Sequence, residues 1–201
     1  MQSVTWSSSE DREITSVNGD SEKTYNDVWW FGSYSENFNN FPKNIKKFFP
    51  NVEAIYISAA NIKTLTKFDM ASLGSQLRIF YFYDNRIEVL EEGLFDENPN
   101  LERINLRFNK IKYVASGVFD KLPKLETLWF ENNPCHSGKA VTDRAAVLTL
   151  IKQIEGNCQD HQAYEKFRNL FTTTEKVKTD HELRIEELTA ENAELKQQQV
   201  E

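Results

Sequence analysis

Long apolar runs are missing from this chain of 201 residues. No stretch approaches the ~20 apolar residues that cross a bilayer, so no membrane span is expected within it. Basic charge is also scarce: 24 Lys and Arg against 31 Asp and Glu leave a net charge of −7. A nucleic-acid groove needs concentrated Lys and Arg, and this balance excludes that class of partner. Histidine occurs only at His136, His161 and His181. None stands at metal-ligand spacing from another or beside a plausible nucleophile. The Gly-rich phosphate loop, the HExxH signature and the nucleophile elbow are lacking. Acidic pairs such as Glu91-Glu92 and Glu186-Glu187 read as solubility charge. The expectation is no catalytic residue, no metal, no cofactor, and no enzyme. The opening Met1–Glu10 has neither a basic head nor an apolar run, so it does not read as a signal peptide. Taken alone, that points to the cytoplasm.

What the chain does have is a period. In the segment starting at Leu101, apolar residues fall at the first, fourth, sixth, eleventh and fourteenth places: Leu101, Ile104, Leu106, Ile111 and Val114. Asparagine takes the ninth, Asn109, and Gly117, Phe119 and Leu122 follow. A copy from Leu77 has Phe80, Phe82, Asn85, Ile87, Leu90, Gly93 and Phe95. One from Leu125 has Leu128, Phe130 and Asn133, and one from Val52 has Ile55, Ile57, Ile62 and Leu65. The faintest starts at Val28, with Phe31, Phe38 and Phe41. The starts 28, 52, 77, 101 and 125 differ by 24, 25, 24 and 24. Chance does not hold five copies to so steady a step, and the pattern is that of leucine-rich repeats.

The alternation around the fourth and sixth places predicts a short strand with two residues turned inward. Beyond it the chain must bend, and an asparagine amide both donates to and accepts from backbone groups that would otherwise be buried unpaired. Phe95 and Phe119 are expected to fill the wider convex side. No copy can bury its apolar edge alone, so the copies must stack. The predicted fold is an α/β repeat: a leucine-rich repeat solenoid with a concave parallel sheet, a C-terminal capping helix and a trailing helical tail. The expected parts are a polar N-terminal segment over 1–27, repeats over 28–134, a cysteine-flanked cap over 135–159 and the tail over 160–201. Within the first part, Ile14–Val17 before Asn18-Gly19 reads as a strand and turn. Asn85, Asn109 and Asn133 form the asparagine ladder. The ninth place holds Glu36 and Ala60 in the first two copies, whose turns are expected to be less regular.

There are two cysteines. Cys135 follows the last repeat's Asn133-Pro134, and Cys158 closes a segment with Val147, Leu150, Ile151 and Ile154 on one helical side. A bridge between them would pin a helix over the open end of the solenoid. The alternatives are two free buried thiols or, with His136, an incomplete metal-ligand set.

Together the repeats, the Cys135 to Cys158 ending and the block from Phe41 through Phe48-Phe49-Pro50-Asn51 to Ile55 resemble the small secreted leucine-rich repeat proteins of flies, mosquitoes and midges. The resemblance covers about residues 14 to 160. The helical tail is similar to that of mosquito leucine-rich-repeat immune proteins. The resemblance implies a non-enzymatic protein binder, secreted or cell-surface, with a tail that supports dimerisation. Such proteins carry a signal peptide and a cysteine-containing front cap, so it also implies a truncated front end. A cytoplasmic location is the alternative.

Outward-facing strand positions gather Tyr, Trp and Arg, the types that dominate interface hot spots. Tyr56, Tyr81, Tyr83, Arg103, Arg107 and Trp129 are the candidate protein-binding residues. Cross-strand stacking without a partner would use the same aromatics. Trp29 and Trp30 could equally cover the front edge of the sheet. In the tail, ten acids against six bases from Asp160 onward contribute −4. Ile185, Leu188, Asn192 and Leu195 fit the a and d places of a coiled coil and suggest a homo- or hetero-dimer, against a solvated charged helix. Three functions follow: a secreted recognition module, innate immune in setting; the ectodomain fragment of a receptor or adhesion protein; or an intracellular scaffold assembling through its tail.

Overall fold

The computed structural model describes residues 3–6, 14–18, 28–34 and 37–171. The chain forms two compact units, residues 1–161 and 162–201. The first opens with a hairpin, β1 (Ser3–Trp6) against β2 (Ile14–Asn18), paired antiparallel. The strand expected near Ile14 is present. Its partner β1 was not anticipated, because Ser-Val-Thr-Trp is too short to show alternation.

The solenoid follows. β3 (Trp30–Tyr34), β4 (Ala54–Ser58), β5 (Ile79–Tyr81), β7 (Arg103–Asn105) and β9 (Thr127–Trp129) lie side by side in parallel. Their register repeats the period of the sequence: Trp30 opposite Ala54, Ala54 opposite Ile79, Ile79 opposite Arg103, Arg103 opposite Thr127. This is the expected α/β solenoid with a concave parallel sheet. The sixth-place residues Ile57, Phe82, Leu106 and Phe130 are all fully buried in one core cluster. Phe95 and Phe119 stack at 5.8 Å on the other side of that core.

The return paths change along the chain. The first two copies use short helices, α1 (Ile45–Phe48) and α2 (Lys67–Leu73). Thr66 caps α2 through its hydroxyl, with the Asp69 carboxylate bonding back to the Thr66 N–H. The later copies replace the helix with turns and a second, two-stranded parallel sheet of β6 (Val89–Leu90) and β8 (Tyr113–Val114). At the rear, β10 (Lys139–Ala140) adds an antiparallel strand to β9, and α3 (Arg144–Asn157) closes the end. The Asp143 side chain caps α3 by accepting from the Ala146 N–H. Val147, Leu150, Ile151 and Ile154 are buried in the core. A disulfide joins Cys135 to Cys158. The backbone is again helical over 161–171, where the Phe167 and Phe171 rings lie 4.9 Å apart. Ile185, Leu188, Asn192 and Leu195 fall outside the described residues.

The asparagines bond backward into the preceding repeat. Asn109 Oδ1 accepts from the Ile87 N–H at 3.2 Å, and its Nδ2 donates to the Phe82 and Leu106 carbonyls at 2.9 and 3.2 Å. Asn133 does the same for Ile111, Leu106 and Phe130. Asn85 serves Ala60, Ile62, Ile57 and Tyr83. At the next step back Ala60 has no amide to offer. There the Ala60 carbonyl accepts directly from the Phe38 N–H, and Asn61 turns aside to Asn37 and Asn39. Asn98 escaped the sequence reading. It takes the place of Leu122 one repeat earlier, fully buried, and donates to the Met70 and Gly74 carbonyls.

One position is strained. The eighth place of four successive repeats is left-handed: Ala59, Asp84, Phe108 and Asn132 have φ of 52°, 54°, 56° and 59°. Asn and Asp tolerate this region, whereas a bulky side chain meets its own carbonyl at a cost of about 1 kcal/mol. The Phe108 ring is 49% exposed and recovers little by burial. Phe108→Asn should therefore raise the stability by about 1 kcal/mol at unchanged m-value in urea titration. A less stable variant would show that the ring's packing outweighs the strain.

Candidate protein-binding face

The pleat of each strand sends alternate side chains to the concave surface, but not all of them stay available. Ala54, Ser58, Asn105 and Thr127 point that way and are nonetheless buried. For Thr127 the cause is the cap, whose Thr142 N–H donates to Thr127 Oγ1. The six candidate residues remain half-buried, each with one side to solvent.

Four rings form a ladder along the sheet. Trp30 meets Tyr56 edge-on at 6.0 Å, Tyr56 meets Tyr81 at 4.8 Å, and Tyr81 meets Trp129 at 5.5 Å. The last contact skips a strand. Asn105 lies between Tyr81 and Trp129 in register, and its short, buried side chain lets the two rings close over it. Edge-to-face pairs of this kind add about 0.5–1.5 kcal/mol each beyond their burial, so the ladder is held in place without a ligand. Trp29 and Trp30 are 56% and 51% exposed.

Arg103 and Arg107 stand on either side of Asn105. Arg107 Nε donates to Asn105 Oδ1 at 3.3 Å. Arg103 faces Glu126 at 3.6 Å, and Arg107 faces Glu131 at 3.8 Å, both beyond hydrogen-bonding distance. Lys139 of β10 reaches Glu131 from the other side at 3.4 Å. These pairs are partly exposed and hold the side chains weakly. Burial, with help from Tyr56, pushes the Tyr81 phenol up from its ordinary range, while Arg103 and Arg107 oppose the shift. Along the strand entrances Arg78 donates to Glu102 at 2.9 and 3.1 Å and contacts Glu53 at 3.4 Å. Its hydrogen bonds hold the Glu102 carboxyl below the usual carboxylate range.

The face is thus aromatic toward the front and charged toward the rear. Residues 75–134, which include Tyr81, Tyr83, Arg103, Arg107 and Trp129, match the family model for the leucine rich repeat. The solenoid is built of leucine-rich repeats. A search among curated proteins returned no match. Stacked repeats of this type present an extended concave surface suited to protein partners.

Sequence reasoning picked out Tyr81, Tyr83, Arg103, Arg107, Tyr56 and Trp129 but did not pair the arginines with Glu126 and Glu131 or give Asn105 and Lys139 a role. Glu126 and Glu131 could have been found by asking which acids lie one repeat from each arginine. Lys139 could not, since it depends on β10 folding back.

Proposed function

We propose that this protein is a non-enzymatic recognition module that binds a protein partner through its concave face, outside the cell. The observation that carries this reading is the ring ladder from Trp30 to Trp129, flanked by Arg103 and Arg107. Rings already fixed by one another lose little freedom on binding, so their contact area converts to affinity efficiently. The arginines are held by carboxylates too distant for hydrogen bonds and can turn to a partner. The disulfide between Cys135 and Cys158 supports an oxidising compartment. The resemblance to secreted dipteran proteins adds an innate-immune setting, and an ectodomain of a larger surface protein would use the same face. A dimer through Ile185, Leu188, Asn192 and Leu195 rests on the heptad pattern alone.

The variant for testing the face is Tyr83→Ala with Arg107→Ala. Tyr81 is a poorer choice, since its removal also breaks two ring contacts of the ladder. The expected result is capture of the extracellular partner weakened by about tenfold or more. Thermal unfolding should move little, since both side chains are partly exposed. Equal capture by the double variant would remove the concave face as the site.

A further inference from the structure

Two basic residues of the solenoid, Arg86 and Lys110, face one groove together. Arg78, Arg103, Arg107 and Lys139 each face a glutamate of their own chain. Arg86 and Lys110 do not: among the described residues neither side chain has an ion pair or hydrogen bond. They hold the tenth place of successive repeats, directly after Asn85 and Asn109 of the ladder. Both line an open groove of about 620 Å³ that runs along the loop side of the strands, from Asn37 in the first repeat to Asn132 in the last. Phe108, the strained and half-exposed ring, is its main apolar lining residue. The matching places in the neighbouring repeats are Ala59, Asp84 and Asn132, so neither the backbone nor the core calls for phenylalanine there.

We infer that this rim groove docks an extended acidic segment of a partner protein, its carboxylates on Arg86 and Lys110 and an apolar side chain against Phe108. The groove crosses four repeat steps of about 4.8 Å, or ~19 Å, the length of about six extended residues. Asn37 and Asn132 at its ends offer amides to an extended backbone, which carries unpaired N–H and C=O groups of its own. Among the described residues Asp84 is the only carboxylate on the lining, so their balance is positive on a chain whose net charge is −7. Two cations suit a pair of carboxylates and are too few to track a phosphate backbone. The surface is distinct from the concave face, and the inference stands whether or not that face binds.

The test uses the full chain and an array of heptapeptides with Glu at alternate positions and Leu, Phe or Thr between, each beside a copy with Lys for Glu. Acidic members should bind about tenfold more tightly than their Lys copies at low salt, and the advantage should shrink at high salt. Lys110→Glu and Arg86→Glu should each lower that binding by about fivefold or more. Phe108→Asn should lower it as well while folding at least as stably, which separates the binding loss from misfolding. Tyr83→Ala with Arg107→Ala should leave it unchanged. Equal binding of the Lys copies, no acidic member above background, or rim variants that bind like the parent would overturn the inference. So would a single-stranded oligonucleotide that binds in preference to every acidic peptide. Loss in the concave variant alone would assign acidic segments to the other face.

Discussion

Asn109→Ala is expected to destabilise the protein by about 3–5 kcal/mol, with the secondary structure of the remaining folded fraction retained. The amide is 1% exposed and satisfies one N–H and two carbonyls of the turns around it. Alanine would leave all three in the interior, at about 1–3 kcal/mol for each group that finds no substitute. The cost should spread to the preceding repeat, because Asn109 binds residues of its own repeat and of the one before. Urea titration measures it, and Asn61→Ala supplies the internal comparison. Among the described residues the Asn61 side chain bonds only to Asn37 and Asn39, both exposed, and its loss should cost well under about 1 kcal/mol. Comparable losses at the two positions would mean that water takes over the buried bonds, and the ladder would lose its structural meaning.

Breaking the bridge, by Cys135→Ala with Cys158→Ala, is expected to cost about 3 kcal/mol. The bridged residues are separated by 23 positions, and closing a loop of that size removes a corresponding entropy from the unfolded chain. The loss should be local first. Cys158 lies fully buried beside the last repeats, and its carbonyl accepts from the Val114 N–H at 2.9 Å. The Glu155 carboxylate, which burial pushes up from its ordinary range, accepts from the Gly117 N–H at 3.0 Å. Freed of the bridge, α3 should open and expose Leu128 and Phe130, while the front repeats keep their protection. Stacked repeats couple chiefly to their nearest neighbours, so damage at one end does not travel at once. Hydrogen exchange read by mass spectrometry should show faster exchange over 125–158 and little change over 52–90. Uniform acceleration along the chain, or none anywhere, would contradict a cap that acts as a local lid.

Several of the contacts just used could be read before any coordinates. Asn85, Asn109 and Asn133 stand out because each closes the same local turn at the same place of a repeating unit. A residue whose task recurs every 24 or 25 positions announces itself by recurrence. The same holds for Ile57, Phe82, Leu106 and Phe130, since a strand that buries one face must alternate. Asn98 was invisible for the converse reason. It stands at a place where the next repeat has Leu122, and its bonds to Met70 and Gly74 are particular to one turn. Strand β10 is only two residues long, below any length at which a pattern can be recognised.

What the sequence alone determined is therefore the solenoid: its period, its internal columns, its closing helix and the face on which Tyr, Trp and Arg gather. These follow from local rules, alternation along a strand and spacing along a helix, that act within one repeat and are then copied. Only the tertiary structure decided which of those surface residues work together. Tyr81 reaches Trp129 because Asn105, between them, is short and sinks into the sheet. Arg103 and Arg107 face Glu126 and Glu131 loosely, whereas Arg86 and Lys110 face no such carboxylate among the described residues beside a strained Phe108. Pairings of that kind depend on how adjacent repeats are set against each other and on which rotamers remain free. Such distances between different copies of the motif are absent from the pattern of any one of them.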